Sequence, residues 1–406
     1  MASAAAISDA DIPGPDPSEL IPKKPPPSHG DEHPSGKESF GLFMQIVRGT
    51  AVISYFTVGF VVIHLTQFIG APLYIINRDW FYAYMAMTKR LVAVLISHGT
   101  NLWVPIKIRI SGDESVASQI RPTEDGNVRF HFPKRVILIA NHQIYTDWLY
   151  LWWVAYANNP GMHGHIYIIL KESLKHIPIG GWGMRFFGFI WMSRRMDVDQ
   201  PRLAYRLQKL RQKRTAASGR SFFNPMWLLL FPEGTTLSQN SRNKSASWAK
   251  KKGLRDPEHA LLPRSTGMYF CLKELKGSVD YVYDCTVAYE GVPRGKFGED
   301  LYGLITTYFQ GRTPKSANMY WRRFRVEDIP LDDQETFDEW LREEWYKKDA
   351  FLEGFHENNR LPPMVGTENK YVETAVRTRH EWEIFEVYAI LAVFMALVLV
   401  VIPRVL

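Results

Sequence analysis

The chain has 406 residues, with 49 lysines and arginines against 42 aspartates and glutamates, for a net charge of +7. This length buries a substantial core and accommodates one globular unit plus membrane elements. Its two cysteines, Cys271 and Cys285, exclude a disulfide-stapled secreted fold and lack metal-ligand spacing, while thirteen tryptophans and no base-reading motif favour a membrane interface over nucleic acid.

Residues 1–38 are rich in Pro, Ser and acids, include Pro25-Pro26-Pro27, and read as a disordered tail without a secretory signal. Residues 39–100 read as membrane-embedded. Within them, Ala51–Ile76 is long and apolar enough for a bilayer core of roughly 30 Å. Phe81–Ser97 carries Lys89 and Arg90 at its centre and reads as an interfacial or re-entrant helix.

Residues 101–330 alternate helical stretches with apolar runs at Val136–Ala140, Ile166–Leu170, Phe189–Ser193, Trp227–Phe231 and Tyr283–Tyr289. This pattern predicts an α/β domain layered on a central mixed sheet. Two polar motifs follow buried runs: Asn141-His142-Gln143-Ile144-Tyr145-Thr146-Asp147, and Phe231-Pro232-Glu233-Gly234-Thr235-Thr236. Residues five apart on an α-helix lie roughly 140° around its axis, so His142 and Asp147 meet only across a turn. Asp147 then opens the helix that follows, with Thr146 or Asp147 as its cap. In that position it fixes one imidazole tautomer and frees the other nitrogen as a base.

Basic residues crowd the next stretch: Arg194, Arg195, Arg202, Arg206, Lys209, Arg211, Lys213 and Arg214. They read either as a solvated helix face or as a face lying on anionic headgroups or gripping CoA. Ser238–Ser247, closed by Lys250-Lys251-Lys252, reads as a mobile surface loop. Residues 331–383 read as an amphipathic helical extension in which Phe337, Trp340, Leu341 and Trp345 pack on the domain. Residues 384–402 are the second candidate span, broken only by Glu386.

The first 48 residues hold seven acids against four cations, whereas Arg78, Lys89, Arg90, Arg377 and Arg379 flank the inner sides of the spans. The positive-inside rule places the central region in the cytoplasm and both termini outside it. Asn243-Lys244-Ser245 is a glycosylation sequon usable only if that region were luminal.

Taken together, the motifs resemble the glycerolipid acyltransferase family, the 1-acyl-sn-glycerol-3-phosphate acyltransferase-like proteins. His142 to Asp147 resembles its HxxxxD block. Leu170 to Pro178 with Gly180-Gly181-Trp182-Gly183 resembles the Lys, Pro and Gly segment, and Gly188 to Arg194 the strand that ends in Arg. Phe231 to Thr235 resembles the Pro-Glu-Gly-Thr block, and Asp284 to Tyr289 the fourth, apolar block. Thr236 stands where the family commonly has Arg, and Ala288 where it usually has Pro. Both departures resemble the branch of lysocardiolipin acyltransferases and fungal phosphatidylinositol-remodelling enzymes. The resemblance covers roughly Leu91 to Tyr289.

It implies transfer of an acyl group from acyl-CoA to the hydroxyl of a lysophospholipid of the lysophosphatidylinositol, lysocardiolipin or lysophosphatidic acid type, with no covalent enzyme intermediate. His142 is the implied general base and Asp147 its orienting partner. Asn141, Lys171, Arg194, Glu233, Gly234 and Thr235 are the implied substrate-binding residues, with Arg194 on the phosphate and Glu233 and Gly234 lining the acceptor pocket. Acyl-CoA is a co-substrate, and no cofactor or metal is implied. The implied location is the endoplasmic reticulum membrane, with the catalytic domain facing the cytoplasm. The rival readings are an enzyme of de novo phosphatidic acid synthesis, a serine hydrolase, which the lack of a G-x-S-x-G elbow disfavours, and a non-catalytic lipid-binding membrane protein.

Overall fold

A computed structural model describes residues 33–405 apart from Arg194, Ala216, Ala217 and Glu368. Most of the Pro-rich tail and the Arg194 assignment therefore lie outside the described residues.

Helix α1, Leu42–Gly70, is apolar almost throughout and ends just before Ala71-Pro72. Proline lacks the N–H that would continue the ladder, so the long apolar run breaks into a short second piece, Leu73–Ile76. With that piece, and with Glu381–Val400 at the other end of the chain, the protein has two segments long and apolar enough to cross a membrane. Ile53, Val58, Leu65 and Phe68 stand exposed on the first, and Val393, Leu397 and Leu399 on the second.

Phe81–Ser97, read as interfacial or re-entrant, packs along the domain. It lies within α2, Arg78–Trp103, whose Leu91–Ile96 stretch is buried against the domain. Lys89 is buried as well and donates to the Ile166 carbonyl at 2.9 Å.

The five apolar runs all become strands of one sheet. In chain order the eight strands of that sheet are β1 (Lys107–Gly112), β2 (Arg135–Ala140), β3 (Ile166–Lys171), β4 (Ile190–Met192), β5 (Met226–Leu230), β6 (Tyr281–Tyr289), β7 (Ser316–Arg325) and β8 (Val372–Ala375). Their spatial order is β8-β1-β7-β6-β2-β5-β3-β4. From β6 to β4 every neighbouring pair is parallel, while β7 on β6 and β8 on β1 are antiparallel. The sheet is mixed, as the pattern predicts, and helices cover both faces. Within β2, Val136, Leu138 and Ala140 face one core cluster, and Ile137 and Ile139 the other. That two-residue alternation explains why the strand reads as a continuous apolar run.

The helices α3 (Asp147–Ala157), α4 (Met196–Arg211), α5 (Gln239–Lys252), α6 (Ser265–Leu275), α7 (Gln334–Asn358) and α8 (Glu386–Val405) complete the layers. Two of them depart from expectation. The segment read as a mobile loop is α5, started by a reciprocal Ser238–Ser241 capping box and stopped at left-handed Gly253. Its caps, with Lys250–Lys252 in the last turn, stabilise a helix that has no apolar stripe to announce it. The region read as a purely helical extension contributes more than a helix. Phe337, Leu341 and Trp345 of α7 are fully buried on the sheet, and β8 pairs with β1.

Candidate active site

Strands β2, β5, β3 and β4 run parallel, so the residues after their last positions share one edge of the sheet. That is where open α/β sheets hold ligands. His142 follows β2, Glu233 follows β5, and Lys171 ends β3 exposed.

His142 is pinned on all sides but one. Its Nδ1 lies 2.8 Å from Asp147 Oδ2, and its ring stacks on Phe231 with centroids 4.3 Å apart. Asp147 is the first residue of α3 and is fully buried. Its Oδ2 also accepts the backbone N–H of Gln143 at 2.6 Å and of Ile144 at 3.0 Å, and its Oδ1 accepts the Tyr289 hydroxyl at 2.6 Å. The expected turn therefore forms, built by the carboxylate gathering the N–H groups of the loop it closes. An ionised carboxylate only accepts, so Nδ1 carries the hydrogen and Nε2 keeps its lone pair. Nε2 faces the one open side, 3.3 Å from Thr236 Oγ1, and the His142 side chain keeps 16% exposure.

The Pro-Glu-Gly-Thr loop is sewn to this motif. Leu237 donates its N–H to the His142 carbonyl at 2.8 Å. Gly234 adopts φ +72°, where a side chain would be strained, and half-exposed Thr235 follows in the same turn. Glu233 is 2% exposed, with Oε1 accepting the Trp345 Nε1–H at 3.2 Å and Oε2 the His142 N–H at 3.4 Å. Burial pushes its carboxyl up to about 7, against the pull of Trp345 and His142. Its place is beneath the loop that carries His142, tying that loop to α7.

Asn141 is tied to the neighbouring strand. It is fully buried, donating from Nδ2 to the Val287 carbonyl at 2.9 Å and accepting the Val287 N–H on Oδ1 at 2.8 Å. An amide side chain here mimics the ladder that β2 has just left. The residues flanking Arg194 are held by the buried Asp199, which accepts the N–H of Ser193 at 2.9 Å and of Arg195 at 3.2 Å.

Two site residues escape a reading of the motifs alone. Tyr289 ends β6, and only the strand pairing carries it to Asp147; burial pushes its phenol well above the usual value, with the Asp147 charge adding to that. Glu299 Oε2 accepts the Tyr145 N–H at 2.5 Å and holds the far side of the loop. Beside Gln143 and Leu237 opens a cavity of about 280 Å³ lined also by Gln239, His259, Lys296 and His356. At its wall Glu258, His259 and Glu353 lie close together, but Arg294 donates to both Glu353 oxygens, so a guanidinium fills the place of a cation.

The chain was compared with known proteins. A model of the Acyltransferase family matches residues 107–290, and one of the Acyltransferase C-terminus matches residues 307–385. A 2-acyl-1-lysophosphatidylinositol acyltransferase of Saccharomyces cerevisiae is 36% identical over 77% of this chain and 84% of its own length. An uncharacterized acyltransferase of Schizosaccharomyces pombe is 32% identical over 85% of this chain and 94% of its own. Lysocardiolipin acyltransferase 1 of Danio rerio is 29% identical over 68% and 63%.

Proposed function

Since this chain belongs to the acyltransferase family, we propose that it transfers a fatty acyl group from acyl-CoA to the free hydroxyl of a lysophospholipid, with His142 as general base. The observation that carries this is the His142 imidazole: one nitrogen is fixed on Asp147 and the other faces the open edge of the sheet.

The acceptor hydroxyl gives its proton to His142 Nε2 as its oxygen attacks the thioester carbonyl. A C–O bond forms, the oxyanion collapses, the C–S bond breaks, and the imidazolium returns the proton to the CoA thiolate. No charge is left on the enzyme, so one histidine serves both half-steps. Asp147 stabilises the imidazolium without itself taking a proton. Arg194, by its place after β4, is assigned to the acceptor phosphate, where a guanidinium makes paired hydrogen bonds. Lys171 and Thr235 share that edge and complete the proposed substrate contacts.

The two apolar segments, the positive charge and the lipid acceptor support an integral membrane protein. The charge asymmetry supports a domain that faces the cytoplasm, a glycan on Asn243 would overturn that orientation, and the endoplasmic reticulum is assigned by the family resemblance. The relative at 36% identity is named for lysophosphatidylinositol, which makes that headgroup the first acceptor to test.

The test is product formation by the purified full chain given labelled acyl-CoA and lysophospholipids that differ in headgroup. Diacyl product is expected, and His142→Ala is expected to abolish it with the fold intact. Transfer that persists in His142→Ala refutes the mechanism, and hydrolysis without transfer favours a hydrolase.

A further inference from the structure

The basic residues after β4 do not form one face. Arg202 pairs with Glu172, and Arg211 reaches the Glu274 carbonyl. Arg206, Lys209 and Arg214 instead turn into a separate cavity of about 340 Å³, where they meet Arg78 and Lys89 of α2 and Arg135 of β2. Arg135 begins β2 and His142 follows its end, so at about 3.3 Å per residue this cavity lies roughly 20 Å from the catalytic imidazole, on the opposite edge of the sheet.

Six basic residues line this space, and among the described residues the Arg214–Asp79 pair, at 2.6 Å, is their one contact with a carboxylate within 4 Å. Arg135 spends its hydrogen bonds on the carbonyls of Ser278, Leu210 and Asn224. Arg78 and Lys209 lie over the rings of Tyr74 and Tyr205. Lys89 is buried with a carbonyl and the Tyr167 ring 4.1 Å away as its partners. Clustering this much like charge costs stability unless an anion binds among them.

The surface next to Arg78 bears on the anion's source. Within three residues of Arg78 in the chain, Ile75 is 90%, Ile76 70% and Trp80 62% exposed. An aromatic and aliphatic patch bordering a basic pocket matches the two ends of a phospholipid, apolar chains against the patch and phosphate among the cations.

We propose that this cavity is a second lipid site, which holds the phosphate headgroup of an anionic membrane phospholipid and seats the domain on the bilayer. The lipid source of that phosphate rests on the membrane association proposed above; the site itself does not depend on turnover.

The experiment uses the full chain in phosphatidylcholine nanodiscs carrying a diazirine-bearing phosphatidic acid or, in a parallel arm, a diazirine-bearing phosphatidylcholine. Crosslinked peptides are mapped by mass spectrometry. Labelling within 74–89 and 205–214 by the phosphatidic acid probe is expected. Arg206→Glu/Lys209→Glu should lower it by about tenfold or more, because each basic group near the surface contributes attraction that reversal turns to repulsion. His142→Ala should leave it unchanged, which separates failure here from failure of the catalytic reading. Arg78→Gln, at an exposed position, provides a second variant should the double reversal misfold. Equal labelling by both probes, undiminished labelling in the folded variants, or full displacement by inorganic pyrophosphate, which would mark a soluble phosphate ligand, would each overturn the proposal.

Discussion

Asp147→Asn tests how the imidazole is held. The two oxygens of Asp147 are not equivalent: Oδ2 accepts the Gln143 N–H at 2.6 Å, the Ile144 N–H at 3.0 Å and His142 Nδ1 at 2.8 Å, whereas Oδ1 accepts only the Tyr289 hydroxyl, at 2.6 Å. Two of the three donors on Oδ2 are backbone N–H groups that cannot reverse. An asparagine must therefore keep its carbonyl oxygen on that side, with its NH2 group opposite Tyr289. A phenol both donates and accepts, so the Tyr289 hydroxyl can turn to receive it. The His142 tautomer survives, unlike in serine proteases, where the equivalent exchange inverts it and costs ~10⁴ in turnover.

What the substitution removes is the charge opposite the forming imidazolium. A hydrogen bond to a charged partner is worth about 1.5–3 kcal/mol, against about 0.5–1.5 kcal/mol between neutral groups. With both partners charged in the transition state, the loss is about 2–3 kcal/mol, or roughly a thirtyfold to hundredfold fall in kcat. The assay is steady-state transfer from labelled acyl-CoA to lysophosphatidylinositol, with folding checked by circular dichroism. Adding Tyr289→Phe removes the acceptor for the amide and should deepen the loss by about another tenfold. A fall near ~10⁴ in the single variant would mean that the amide nitrogen faces His142, and would refute this account of the loop.

Three further outcomes follow from the same structure. Glu233 has a folded-state pKa of about 7, above its ordinary 4.5, so its bound proton favours folding at low pH and that contribution fades as pH rises from 4.5 to 7. It amounts to about 3 kcal/mol. Thermal melts of Glu233→Gln should therefore gain on wild type between pH 5 and pH 8, and a pH-independent difference would refute the burial argument. Lys348, fully buried, donates to Asp284 Oδ1 at 2.7 Å, the Cys285 carbonyl at 2.9 Å and Thr286 Oγ1 at 3.1 Å. Lys348→Met should cost about 3–5 kcal/mol in denaturation, part of it recovered by Asp284→Asn; a neutral Lys348→Met would show that the Asp284–Arg322 pair, with an Nη2–Oδ2 contact of 2.6 Å, suffices alone. Arg194→Ala should raise the acceptor Michaelis constant more than that of acyl-CoA, and an unchanged acceptor constant counts against the phosphate assignment.

The sequence made local geometry legible and long-range pairing invisible. The spacing of His142 and Asp147 excludes a shared helix face, so the turn was predictable, and so was its place after an apolar strand. Tyr289 and Asn141 were not, because their partners are 142 and 146 residues away and reach them only through the β2–β6 pairing. Charge is a poor guide to exposure: Lys89 and Glu233 are both buried with hydrogen-bonding partners that the sequence does not announce. Helix α5 was missed because apolar periodicity is a signal of burial, and this helix, with only Ser241 and Ala249 buried, depends on its caps instead.

Thr236 shows why a departure from the commoner Arg need not disable the site. Its hydroxyl lies 3.3 Å from His142 Nε2, while its carbonyl accepts the Ser241 hydroxyl at 2.8 Å from the start of α5. The backbone at this position is thus fixed and the hydroxyl is free to rotate. In the resting site it can donate to the Nε2 lone pair, so the base is not left unpaired in a partly buried place. An arriving acceptor hydroxyl exchanges for it one hydrogen bond for another, which keeps the cost of engaging the base small. The same rotation leaves Thr236 beside the incoming oxygen, with its lone pairs available to the proton in transit. An arginine in this position would put a permanent positive charge next to a nitrogen that must become cationic, unless a phosphate met it there. Thr236 therefore suits an acceptor whose phosphate is held elsewhere, at the end of β4, where Arg194 is assigned.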